Sequence, residues 1–82
     1  MDRNENLRKL HTALCSILAV DERAIDDAMS PATVPQWDSY NALMLVSELE
    51  TMFHVHFTME EVVAVQCVGD IKAALKKHGV AL

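Results

Sequence analysis

The sequence predicts an all-α fold: a small bundle of three main helices plus one short helix, with a long loop between helices one and two. Three observations lead there. Apolar residues recur at three- and four-residue intervals in separate segments, the mark of helices with one buried face. Both prolines of the chain fall in one stretch, where that periodicity stops. At 82 residues and 51% hydrophobic content, the chain is long enough for one core and too short for two, so residues 1–82 are expected to form a single domain. The expected radius of gyration is about 12 Å.

Helix one is expected from Asn4 to Ala19. Leu7, Leu10, Leu14, Ile17 and Leu18 gather on one face, Asn4 is the expected cap, and Arg3, Asn6, Arg8, Lys9 and Thr12 take the other faces. From Asp21 to Gln36, Ser30-Pro31 and Val34-Pro35 deny a continuous helix, because proline lacks a donor and restricts the residue before it. Ile25, Met29 and Val34 are the apolar residues able to pin this loop to the core. Loops of about 16 residues are uncommon in compact domains and are often functional.

Helix two is expected to open at Trp37-Asp38-Ser39 and run to Phe53, with Ala42, Leu45, Val46, Leu49, Met52 and Phe53 on its inner face and Asp38 as its cap. His54-Val55-His56-Phe57 alternates and reads as an extended link with Val55 and Phe57 inward. Thr58-Met59-Glu60-Glu61 is a capping-box pattern opening a short third helix with Val62, Val63 and Val65. The last helix is expected from Gly69 to His78, with Ile71, Ala74 and Leu75 inward, Lys76, Lys77 and His78 in its final turn, and Gly79 as its stop.

Charge narrows the partners. The net charge is −5, which disfavours nucleic acid. Residues 24–71 contain eight acids and no Lys or Arg, a field that attracts basic protein surfaces and repels anionic lipid. Cys15 and Cys67 lack any ligand-like spacing and read as reduced thiols packed as small apolar residues. The stretch from Met1 to Leu10 is too polar for a signal peptide, and no apolar run approaches the about 20 residues of a membrane span, so a cytoplasmic monomer is expected.

The anomaly lies at the start of helix two. Ser39 sits on the side away from the core, with Tyr40, Leu43, Met44 and Ser47 around it. A helix N-terminus offers free amides and a positive partial charge, which suit a phosphate. A serine hydroxyl there is well placed to carry a phosphodiester. Asp38 beside it is placed to hold a divalent metal or a basic residue of the enzyme attaching the group. Read locally, both residues are also ordinary helix-capping residues.

Over nearly its whole length the sequence resembles the acyl carrier protein family. The likeness runs from Ile17-Leu18-Ala19-Val20-Asp21 and Ile25, through Trp37-Asp38-Ser39-Tyr40 and Leu49-Glu50-Thr51-Met52-Phe53, to Phe57, Glu60, Glu61 and Val68-Gly69-Asp70-Ile71. The family signature is Asp-Ser-Leu, whose serine receives phosphopantetheine from coenzyme A. The resemblance therefore implies that Ser39 is the attachment residue, that Asp38 supports the modification, and that a phosphopantetheinyl transferase is a partner. It also implies acyl-loading, condensing or modifying enzymes as partners, docking on Tyr40, Leu43, Met44, Ser47, Glu48 and Glu50.

The departures shape that expectation. Tyr40 replaces the usual leucine, and Asn41, Met44 and Thr51 stand where acids are frequent, leaving Glu48 and Glu50. Docking should then rely more on apolar contact through Leu43 and Met44. Trp37 and its Val-Pro-Gln lead-in look like carriers of specialised pathways, such as polyketide or lipid synthesis, rather than the housekeeping fatty-acid carrier. Cys67 replaces a frequent threonine cap.

On this reading the chain is not an enzyme. It holds an acyl group as a thioester on a flexible arm and delivers it at high effective concentration. Val46, Leu49, Phe53, Val62 and Ile71 are core residues that also stand as candidates to line a space for an apolar chain. The alternatives are an aminoacyl or peptidyl carrier, or a helical interaction module with no prosthetic group. His54 and His56 lack further ligands and are read as exposed polar residues, so no metal is expected. Ser39 has no Gly-x-Ser-x-Gly elbow around it, which argues against a hydrolase.

Overall fold

The computed structural model describes residues 3–82, so Met1 and Asp2 of the polar N-terminal stretch lie outside the described residues. Four α-helices follow one another: α1 (Arg3–Leu18), α2 (Ser39–Phe53), α3 (Met59–Ala64) and α4 (Val68–Lys77), with a 3₁₀ turn at Glu22–Ala24 in the loop after α1. No strand occurs among the described residues. The Cα radius of gyration is 11.5 Å.

Side chains from every long element meet in one cluster. Leu10, Leu14 and Leu18 of α1 join Leu45 and Leu49 of α2 and Val68, Ile71 and Leu75 of α4. Each buried leucine contributes about 1.5–3 kcal/mol relative to an exposed one. The loop closes this cluster with Met29, Val34 and Trp37. Trp37 is therefore a core residue 5% exposed, not the opening residue of a helix. The helix begins two residues later, because Asp38 is extended and accepts the Asn41 N–H at 2.8 Å on its Oδ1.

The loop is ordered by its own polar side chains. Asp21 accepts the Arg23 N–H at 2.8 Å, and Asp26 accepts the Ala28 N–H at 2.9 Å. It is then fastened to the start of α4: the Val68 and Gly69 N–H groups each donate at 2.9 Å, to Met29 O and Asp27 O. Cys67, the capping residue of α4, makes no side-chain cap bond, so these loop carbonyls take up amides that the helix start leaves free. Lys72 adds an ion pair to Asp27 at 2.6 Å, and Lys72 holds the Asp27 carboxyl below its ordinary value, by hydrogen bond first and by charge second. Gly69 permits the approach, since a Cβ there would lie 3.3 Å from Asp27 O.

Two further expectations need correction, for Asn6 and for Asn4. Asn6 does not face outward but is fully buried. It continues the four-residue row of Leu10, Leu14 and Leu18, and its Nδ2 donates to Ala81 O at 2.9 Å, drawing the C-terminal residues onto the bundle. Its Oδ1 has no partner. Helix α1 starts at Arg3, which puts Asn4 inside the first turn rather than at the cap. Val63 of α3 is 71% exposed, because so short a helix turns only one narrow face inward, and Val62 occupies it.

The helix ends explain the remaining boundaries. Gly79 at φ 89° closes α4, with Gly79 N–H donating to Lys76 O and Val80 N–H to Leu75 O, the paired bonds of a Schellman motif. Ala19 after α1 and His54 after α2 take the same left-handed conformation at φ 55° without being glycine. A Cβ makes that conformation costly. Ala19→Gly and His54→Gly are each expected to raise stability by about 0.5–1 kcal/mol in urea denaturation. The Asp27 pair has a pH signature. A carboxyl depressed in the folded state contributes stability that is present above its unfolded value and lost as pH falls through the folded one. Lys72→Met should therefore flatten the loss of thermal stability on acidification through the carboxylate range.

Candidate functional site

Residues 39–48 of α2 present two parallel rows to solvent. Ser39, Leu43 and Ser47 form one at four-residue spacing; Tyr40, Met44 and Glu48 form the other. All six are exposed. Tyr40 is 70%, Leu43 60% and Met44 46% exposed, an unusual concentration of apolar surface on the outer side of one helix. Ser39 is the first helical residue, and its end of the helix is held rigidly. Asp38 caps it, the Ala42 N–H donates to Asp38 O at 2.8 Å, and Asn41 Nδ2 donates to Gln36 O at 2.7 Å. The amides of Ser39 and Tyr40 precede that first intrahelical bond, so no carbonyl of the helix takes them.

Glu50, named from the sequence as a docking residue, is half-buried. Its side chain turns toward the link after α2, where Oε2 accepts the Phe57 N–H at 2.8 Å and lies 3.4 Å from His56 Nδ1. Its task is to fasten the chain that leads into α3. The same holds for most acids in the base-free stretch. Asp26, Asp38 and Asp70 accept backbone N–H groups, Asp27 binds Lys72, and Glu61 serves both the α3 cap and His78. Among the described residues, Glu48 and Glu60 are the acids of this stretch with no intramolecular polar partner.

Behind the exposed rows lies an apolar cavity of about 60 Å³ between α2, α3 and α4, partly open to solvent. Val46, Leu49, Val62 and Ile71 line it, whereas Phe53 packs against the core beside it. Trp37 and Ala42 also contribute to the wall, so the cavity reaches the end of α2 that bears Ser39. Glu61 is the polar member of the lining that periodicity did not single out. The Thr58 N–H, and then the His78 ring, hold its carboxyl below the ordinary value against the opposing effect of burial. The capping box marked Glu61 as a local residue; nothing local marks His78, 17 positions away, as its partner.

Other candidates do not converge. Among the described residues, no group of three His, Cys, Asp or Glu side chains is arranged to hold a metal ion. Cys15 and Cys67 are free thiols, and burial, followed by Glu22 and Asp21, pushes the Cys15 thiol up. No described helix is long and apolar enough to cross a membrane. No protein-family model matches this chain, and no curated protein matches it.

The division between outer rows and inner wall is measurable. Leu49→Ala should lower the unfolding free energy by about 2–5 kcal/mol. Leu43→Ala, at an exposed site, should stay within about 0.5 kcal/mol of the parent in the same urea titration.

Proposed function

We propose that this chain is an acyl carrier protein, which bears a phosphopantetheine arm on Ser39 and presents an acyl group, held as a thioester, to partner enzymes. The observation that carries the reading is the end of α2: an exposed serine at the first helical position, an apolar exposed surface beside it and an apolar cavity behind it.

The residues fit a phosphate-linked arm. The Ser39 hydroxyl faces solvent, and the free amides of the first turn supply donors and a positive partial charge for a phosphodiester. In the attachment step Ser39 Oγ bonds to the pantetheine phosphate of coenzyme A, the phosphoanhydride bond from that phosphate to the adenine nucleotide breaks, the nucleotide leaves, and the serine proton passes to a base of the transferase. Asp38 keeps one carboxylate oxygen on the cap, which holds Ser39 in place while the transferase acts. Once attached, the arm supplies the thiol that forms the thioester. The protein contributes no acid, base or nucleophile to the later chemistry. Tyr40, Leu43 and Met44 are the apolar grip for the transferase and for loading, condensing or modifying enzymes, with Ser47 and Glu48 at its edge. Tethering keeps the cargo at high effective concentration for each partner.

The apolar wall formed by Val46, Leu49, Val62 and Ile71 favours an acyl cargo over an aminoacyl one. Lipid or polyketide synthesis in the cytoplasm, by a monomeric carrier, is the setting that fits this cargo. An interaction module without a prosthetic group is the reading favoured by the Tyr40, Leu43 and Met44 patch taken alone.

The test is incubation of the purified chain with coenzyme A and a broad-specificity phosphopantetheinyl transferase, followed by intact-mass measurement. A gain of one phosphopantetheine, absent in Ser39→Ala, is expected. No gain, or a gain that survives Ser39→Ala, overturns the assignment.

A further inference from the structure

Helix α3 has only six residues, none of them fully buried. Met59 and Val63 are 72% and 71% exposed. A helix of this length has no stability of its own in water, so its place beside the cavity depends on what ties it down. Its capping box orders its own first turn: the Glu61 N–H donates to Thr58 Oγ1 at 3.2 Å and the Thr58 N–H to Glu61 Oε1 at 2.9 Å. That box does nothing to hold α3 against the rest of the bundle.

The tie to the bundle comes from α4. His78 Nε2 lies 2.8 Å from Glu61 Oε2 and 3.0 Å from Oε1. Among the described residues, no other side-chain hydrogen bond or ion pair joins α3 to another helix. The imidazole is itself well seated. Its backbone lies in the Schellman turn that closes α4, and its ring meets Phe57 edge to face, at 5.2 Å between centroids and 90° between planes. Glu61 also lines the cavity, next to Val62. One carboxylate thus completes the α3 cap, forms part of the cavity wall and accepts the bond from α4.

We propose that the Glu61–His78 pair is a latch that fastens α3 beside the apolar cavity, so that this contact sets how widely the space behind α2 opens. Releasing it frees α3 as a unit while the α1–α2–α4 core persists, because the core residues of those three helices pack without any fully buried contribution from α3. The latch is independent of what Ser39 carries and belongs to the unmodified chain.

The experiment is native-state hydrogen exchange with acrylamide quenching of Trp37, the single tryptophan and a residue of the cavity wall. His78→Ala should speed exchange at the Val62 and Val65 amides about tenfold, the effect of losing one charge-assisted hydrogen bond, while Leu14 and Leu75 stay unchanged. Trp37 should become more quenchable. His78→Gln, which keeps a side-chain donor, should restore most of both effects. Unchanged α3 exchange, unchanged quenching, or equal acceleration at Leu14 and Leu75 overturns the proposal. Should His78→Ala fail to fold, the parent chain decides: α3 amides must exchange through an opening of lower free energy than global unfolding, and exchange only through global unfolding overturns it. No result depends on Ser39, so failure here is distinguishable from failure of the carrier assignment.

Discussion

The fold depends on an exchange between a helix that lacks a cap and a loop that lacks secondary structure. Helix α4 begins without a side-chain cap, and the loop after α1 has backbone carbonyls to satisfy. Two bonds, Val68 N–H to Met29 O and Gly69 N–H to Asp27 O, meet part of both needs at once. With the loop held there, Met29, Val34 and Trp37 reach the core, and the chain arrives at Asp38 in the extended conformation that starts α2. The position of Ser39 is thus set by contacts made at the opposite end of the chain, at residues 68 and 69.

Much of this architecture was legible. Every helix announced itself through three- and four-residue spacing or through a cap, and the Thr58–Glu61 box was readable because it spans only three residues. Contacts distant in sequence were not. Asn6 with Ala81, Asp27 with Lys72 and Glu61 with His78 join residues whose local surroundings carry no sign of each other. A polar side chain on a leucine row reads as an interruption, yet Asn6 extends that row into the core. Trp37 adjoins the cap and so reads as helical, because burial within a loop leaves no periodic trace. Of the candidate site, the exposed rows from Ser39 to Glu48 follow from the helical wheel. The cavity wall follows only in part, since Glu61 enters it as the partner of a distant histidine.

The acids of the base-free stretch also have structural work within the chain. Eight acids without a base suggest a surface designed for basic partners. Most of them also bond within the chain, at helix starts, in the loop or in the link before α3. A hydrogen bond from a backbone amide does not cancel the charge, but it fixes where the charge sits. The outer face of α2 carries Glu48 beside Tyr40, Leu43 and Met44, a face richer in apolar area than in charge.

The cavity has an energetic meaning apart from its size. The cavity is partly open, so its lining of Val46, Leu49, Val62 and Ile71 leaves apolar surface in contact with water. An apolar group covering that lining gains about 25 cal/mol for each Å² removed from water. Folding and occupancy are therefore linked: a group that binds this wall in the folded chain alone adds its binding free energy to the stability of the bundle.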